Sequence, residues 1–221
     1  MTTQLTIDFV SDIACPWCAV GLGALEQAMQ RLEGEIEVQL HFQPFELNPH
    51  MGPGGQDLGE HLTEKYGSTP EKQAQIRAMI TQRGKEVGFD FHPDGRGRVY
   101  NTFNAHRLLH WAGQTGRDGD QHALKKAFLA SYQGRAEAIE SHDVMLAAVQ
   151  AAGLDVEQAR AILNSDAFAQ EVRDAQQYYM QAGIRSVPAV IINQKHLISG
   201  GQPADVFEQA LRQIAQQEAT A

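Results

Sequence analysis

The 221-residue chain has only two cysteines, and both lie in one tetrapeptide, Cys15-Pro16-Trp17-Cys18. Thiols spaced i and i+3 on a helix share one face, about one turn apart, a spacing that suits a reversible disulfide. Disulfide exchange needs a thiolate to attack and a second thiol near enough to resolve the product. Just before the motif, Leu5, Ile7 and Phe9 alternate with polar neighbours and read as a strand with one buried face. Just after it, Leu22, Leu25, Met29 and Leu32 recur at helical spacing until near Gly34, so the motif opens a helix. Pro16 suits that first turn, where amide donors have no helical partner. Cys15, at the helix end, faces those free amides and the positive end of the dipole, which lower a thiol pKa from its ordinary ~8.5. A lower pKa gives more thiolate and a better leaving group, so Cys15 is the expected nucleophile and Cys18, one turn inside, the resolving thiol.

Other uses of two cysteines fit the chain less well. A secreted disulfide framework takes four or more cysteines at spread positions. A zinc site would need partner ligands, and no second C-x-x-C and no H-x3-5-H follows at finger spacing. His106 and His110 stand at i and i+4 on an expected helix, but without an H-E-x-x-H pattern they read as surface or packing residues, and no metal is expected. Trp17 reads as an exposed contact residue beside the thiols or a spacer tuning their potential, while Trp111, Tyr178 and Tyr179 read as core.

The surrounding elements follow from periodicity. Ile36, Val38, Leu40 and Phe42 alternate with polar residues to make a second strand, completing a strand–helix–strand unit whose strands are expected to be parallel. Pro49, Gly52, Pro53, Gly54 and Gly55 mark a linker, after which helical patterns dominate. One face of a helix carries Ile76, Met79, Ile80, Arg83 and Val87. Further helices are marked by Leu108 and Trp111, by Leu124, Phe128 and Tyr132, by Val144, Ala148 and Val149, by a cap at Asp155, and by Val172, Ala175 and Tyr179. Strand signals return at Val190–Ile192, with a turn at Asn193-Gln194 and a return strand at 196–198. Pro203 opens a last helix with Phe207, Leu211 and Ile214 inward, before a polar tail, Gln216–Ala221. Neither flank is long enough alone to cover a sheet. The expected organisation is one discontinuous α/β domain, residues 1–57 and 176–221, interrupted by an inserted helical domain, 58–175.

With these residues placed, the chain resembles a known family. C-P-W-C after a first strand, with Val187-Pro188 before a returning strand, is similar to the thioredoxin fold, and the large helical insertion resembles its DsbA-like branch. More narrowly, Ser11-Asp12-Ile13-Ala14-Cys15-Pro16-Trp17-Cys18, Asn101-Thr102-Phe103-Asn104-Ala105-His106-Arg107-Leu108 and Ser199-Gly200-Gly201-Gln202-Pro203 resemble the FrnE-like subgroup of DsbA-family oxidoreductases. The resemblance implies a cis Pro188 facing the dithiol, and a Val187 backbone that pairs with an extended substrate as an added strand. It also implies that Asn101, His106 and Arg107 line a cleft between insert and thioredoxin half.

The expected activity is thiol–disulfide oxidoreduction on protein or small-molecule disulfides or thiols, with the dithiol itself as redox group and no cofactor. No third cysteine exists to relay electrons, so an external thiol or disulfide must recycle the pair. The inserted architecture is shared with 2-hydroxychromene-2-carboxylate isomerases and kappa-class glutathione transferases, which makes a glutathione-dependent isomerase or transferase the alternative and glutathione a candidate co-substrate. Those relatives typically carry serine at the position of Cys15 and lack the partner thiol. A non-catalytic peptide-binding or chaperone module is a third reading. The net charge of −9 argues against general nucleic-acid binding, and no run of apolar residues is long enough for a membrane span. Met1–Asp12 lacks the basic start and apolar core of a secretory signal, so the expected compartment is the cytoplasm.

Overall fold

The computed structural model describes residues 2–115 and 117–218. Its order is β1 (Thr3–Ser11), α1 (Pro16–Arg31), β2 (Ile36–Pro44), β3 (Gln56–Asp57), α2 (Leu58–Tyr66), α3 (Pro70–Glu86), β4 (Arg98–Val99), α4 (Phe103–Ala112), α5 (Asp120–Leu129), a π-helical turn (Ala130–Gly134), α6 (His142–Ala151), α7 (Val156–Leu163), α8 (Ala169–Gln181), β5 (Ala189–Ile192), β6 (His196–Ser199) and α9 (Ala204–Glu218). The polar tail read from Gln216 thus continues α9 through Glu218, and residues 219–221 lie outside the described residues.

Four strands form the main sheet in the order β2-β1-β5-β6. β1 pairs in parallel with β2 from Thr3 opposite Ile36 to Ser11 opposite Pro44, and antiparallel with β5 from Ile7 opposite Ile192 to Val10 opposite Ala189. As an inner strand, β1 is covered on both faces, which corrects the one-sided strand expected from its alternation. Leu5, Ile7 and Phe9 enter the main core, while Val10 joins a smaller cluster with Tyr179, Ile184 and Ala189. The β5–β6 connection turns where expected: Asn193 and Gln194 take φ of 50° and 56°, and the Asn193 side chain accepts a hydrogen bond from the Thr6 amide at 3.0 Å.

The main core is continuous from the sheet into the helical segment: Phe9 and Phe42 pack with Leu108, Leu124, Phe128 and Met145 in one cluster. α5 is fastened to the outer edge of β2 by Gln121, whose amide accepts from Phe42 N at 2.8 Å and donates to Phe42 O at 3.0 Å. Those groups of an edge strand would otherwise face solvent or another chain. The boundary expected between residues 175 and 176 falls inside α8, and the one expected after residue 57 falls at the end of β3, which pairs with β4. Tyr178, expected in the core, is 61% exposed and packs edge-on against its buried neighbour Tyr179.

Candidate active site

The end of β1 delivers the motif. Cys15 is the N-cap of α1 with extended backbone (φ −93°, ψ 113°), Pro16 occupies the first helical position, and Cys18 N donates to Cys15 O at 3.1 Å. Both thiols are free; Cys15 is 5% exposed and Cys18 is fully buried. Because Val10 lies opposite Ala189, the segment before β5 is brought to the same end of the sheet as the motif. The Val187–Pro188 peptide bond is cis, and Cys15 Sγ donates to Val187 O at 3.5 Å.

Two glycines allow this closeness. A Cβ on Gly21 would lie 3.0 Å from Pro188 Cγ and 3.3 Å from Gly201 Cα, and one on Gly201 would lie 3.0 Å from Trp17 O. The helix, the proline segment and the 199–201 turn thus meet backbone to backbone, a use of glycine that no larger residue can copy without a shift. Trp17 is half-buried at this junction rather than exposed.

The inner side of the dithiol is polar and closed. Asp12 is fully buried; its Oδ1 accepts from Ala14 N at 3.1 Å and from the Thr102 hydroxyl at 2.8 Å, and its Oδ2 accepts from Leu47 N at 2.7 Å. His106 Nε2 lies 3.5 Å from Asp12 Oδ1, at the limit of hydrogen-bond reach, and has no other partner among the described residues. Burial opposes the charge of Asp12, but His106 and the Leu47 and Ala14 amides outweigh it and hold the carboxyl below its ordinary pKa. The π-helical turn aims Gln133 at the motif, where its Nε2 donates to Ile13 O at 2.8 Å.

The two thiols are pushed in opposite directions. A hydrogen bond from Cys18, helped by the Cys18 and Trp17 amides, lowers the Cys15 pKa against the opposing effects of burial and the Asp12 charge. Burial, followed by the neighbouring Cys15, raises that of Cys18 well above an ordinary thiol, with Lys125 pulling the other way. Cys15 is therefore the thiol that ionises first, and Cys18 the one that stays protonated to higher pH.

The other residues singled out from the sequence fall in different places. His106 faces Asp12 behind the thiols. Asn101 stands at the entrance to α4, its Oδ1 accepting from Phe103 N at 2.9 Å and its Nδ2 reaching Pro49 O at 3.5 Å. Arg107 does not reach a cleft: its guanidinium is buried and donates to Ala167 O, Asn104 Oδ1, Ile162 O and Ser165 O, fastening α4 to the C-terminal end of α7. His110 packs on Phe168 and contacts Gln114. Among the described residues no group of His, Cys, Asp or Glu is arranged to hold a metal.

The sequence reading did not single out Asp12 or Lys125 as candidate site residues, and the structure buries both. Asp12 was visible only as part of a family segment. Lys125 carries a signal in its spacing, since it stands three and four residues before Phe128 and Leu129 and so falls inside the apolar stripe of α5.

Against known proteins, the model of the DSBA-like thioredoxin domain matches residues 6–212. The chain belongs to this family. A probable DsbA oxidoreductase, SCO1869 from Streptomyces coelicolor, superposes with a TM-score of 0.86 at 32% identity, covering 97% of this chain and 91% of that one. The protein YwbO of Bacillus subtilis (strain 168) is 27% identical over 212 residues, 96% of each chain. A 2-hydroxychromene-2-carboxylate isomerase superposes with a TM-score of 0.73 over 97% of this chain and 98% of its own; at 14% identity that likeness is one of fold alone. Membership accounts for the thioredoxin architecture with its helical segment, and the Streptomyces neighbour is itself a probable oxidoreductase.

Proposed function

We propose that this DsbA-like protein is a thiol–disulfide oxidoreductase in which Cys15 exchanges with substrate disulfides and Cys18 resolves the mixed disulfide. The observation that carries the reading is the asymmetry of the pair: Cys15 caps α1 within 3.5 Å of Val187 O, while Cys18 is sealed one turn inside with its pKa raised. In the forward half-reaction the Cys15 thiolate attacks one sulfur of R–S–S–R′, and R′–S⁻ leaves. Cys18 then gives up its proton and attacks Cys15 Sγ, forming the Cys15–Cys18 bond and expelling R–S⁻. The two electrons end on the substrate, and an external thiol restores the dithiol. No cofactor takes part.

The segment around Val187, Pro188 and Trp17 suits extended protein segments, paired through the Val187 backbone, as well as small disulfides. In a reducing cytoplasm, the compartment we assign, the pair is kept reduced and the protein works as a reductase or isomerase. Among the described residues no helix is long and apolar enough to cross a membrane.

Turnover of a model protein disulfide checks the reading. Cys15→Ser is expected to abolish it, a loss of at least about a thousandfold, and Cys18→Ala to accumulate mixed disulfides through Cys15. Full activity in Cys15→Ser would overturn the reading. Strictly glutathione-dependent isomerisation of an aromatic substrate, with Cys18 dispensable, would replace it with the isomerase alternative. Peptide binding that survives loss of both thiols, without turnover, would leave a binding module.

A further inference from the structure

One helix of the molecule keeps a whole side uncovered. α3 is held down through its C-terminal end: Gln27 of α1 donates to Glu86 O at 3.0 Å, and a Cβ on Gly84 would lie 2.6 Å from Phe89 O. Gly84 is its one buried residue among those described, and Ile80, Arg83 and Val87 are half-buried on the same inner side. At about 100° per residue the opposite side carries Glu71, Ala74, Ala78, Thr81 and Lys85. All of these but the half-buried Thr81 are exposed.

This outer side borders an open groove of about 520 Å³, lined by Ala74, Arg77, Ala78, Thr81 and Lys85 together with Pro93. The wall beyond the helix is fixed, since Arg77 Nη1 donates to Asp94 O at 3.3 Å and His92 N to Gln133 O at 2.9 Å. Alanines form the middle of the stripe, with Glu71 at one end and Lys85 at the other. Among the described residues the one ion pair of α3 joins Arg83 to Glu86 at 3.5 Å, so neither Glu71 nor Lys85 is paired with an opposite charge.

The order of these residues is self-complementary. Their intervals of 3, 4, 3 and 4 are those of a helix seam that faces a second helix. Ala78 is the midpoint, with Glu71 seven residues before it and Lys85 seven after, about 10 Å to either side. A second α3 laid antiparallel across a two-fold axis at Ala78 sets Glu71 against the partner's Lys85, and Lys85 against the partner's Glu71. Ala74 then meets the partner's Thr81, and Met79, 48% exposed, gains its own copy as cover beside the axis. Alanine at the centre lets the two helix axes approach to about 8 Å. A parallel pair would instead set like charges together at both ends.

We propose that the outer side of α3 is a homodimer interface, in which two copies pack antiparallel about Ala78 and close two Glu71–Lys85 ion pairs. A contact of one helix from each copy is small for a protein interface, so the dimer forms at micromolar rather than nanomolar concentration. Each copy keeps its own active site, since neither the dithiol nor Val187 and Pro188 line the groove.

Sedimentation equilibrium of the full chain over a concentration series measures the association. The parent is expected to pass from monomer to dimer, and Ala78→Glu, which sets two carboxylates at the axis, to weaken the dimer at least about tenfold. Glu71→Lys and Lys85→Glu each place like charges opposite one another and should also weaken it about tenfold. The two together restore both pairs in reversed order and should return the dissociation constant to within about threefold of the parent. Far-UV circular dichroism checks that each variant is folded; should Ala78→Glu lose helix, Ala74→Glu carries the same outcomes. A parent that stays monomeric up to about 1 mM would overturn the proposal and leave this side of α3 to a different protein. A dimer indifferent to Ala78→Glu would overturn it by placing the interface elsewhere, and a double exchange no tighter than the single ones would overturn the antiparallel pairing.

Discussion

Outward from Cys15 the neighbours are a carbonyl and two rings: Val187 O at 3.5 Å, Pro188, and the half-buried Trp17. Inward lie the buried ionisable groups Asp12, His106 and Lys125; the Thr102 hydroxyl and the Leu47 amide bond to Asp12, and Gln133 bonds to Ile13 O. The outer side comes from the proline segment and the 199–201 turn. The inner side comes largely from the helical segment, since His106 lies on α4 and Lys125 on α5. On the function proposed, the difference is a division of labour: the outer side would offer shape and backbone to a substrate, and the inner side would bear on the protonation of the two sulfurs.

That division is broken most severely by Asp12→Asn. The carboxylate accepts hydrogen bonds from Ala14 N, the Thr102 hydroxyl and Leu47 N, and an amide would turn a donor toward one of them. The expected loss is about 3 kcal/mol of unfolding free energy, read from urea titrations near pH 7. The sign with pH follows from the lowered carboxyl: its stabilising contribution is complete above the unfolded Asp value of about 3.9 and is lost as pH falls through the native value. The parent should therefore lose stability steeply in acid, and Asp12→Asn should lose part of that dependence.

Gly201→Ala attacks the outer side instead. The new methyl would lie 3.0 Å from Trp17 O, against backbone that cannot swing aside. About 1–2 kcal/mol of stability should go, with a several-fold drop in exchange rate, while the Cys15 titration stays in place. Movement of that titration would show that the two sides are not separable. The smallest effect is the one that sharpens the comparison without a mutation. Alkylation of the native, reduced protein should proceed at Cys15 with a pH midpoint below the ordinary thiol value of about 8.5, and Cys18 should stay unmodified over the same range. Peptide mapping of the alkylated protein reads both.

How much of this was legible in the chain depended on whether the governing forces were local. The strand–helix–strand unit, the dithiol at its junction, the β5–β6 turn and the cap at Asp155 follow from periodicity and from side chains bonding to near backbone; Asp155 accepts from Glu157 N at 2.9 Å and Gln158 N at 3.0 Å. α2 has no apolar stripe to reveal it, and His61 is its one buried residue among those described. It is held by the Asp57 cap and by Gln73, which donates to Gly59 O, Thr63 Oγ1 and Ser68 O. Arg107 matched a family segment, yet where its guanidinium goes depends on α7, some 55 residues away. Tyr178 and Tyr179 are indistinguishable by composition, and only the side of α8 against β1 and Ile184 decides which is covered. Lys125 was hidden by its type, because a charged residue in an apolar stripe is ordinarily assigned to the surface.

The register of β1 bears also on how the molecule is made. The strand that carries the dithiol gains its parallel neighbour by residue 44, but its other edge stays unpaired until residues 189–192 exist. Through most of synthesis from the N-terminus, Cys15 has neither Val187 nor Pro188 beside it, and its thiol is open to any disulfide it meets. Chains that stop short of Ala189 would carry a complete C-x-x-C without the segment that covers Cys15, which arrives only with about the last sixth of the protein.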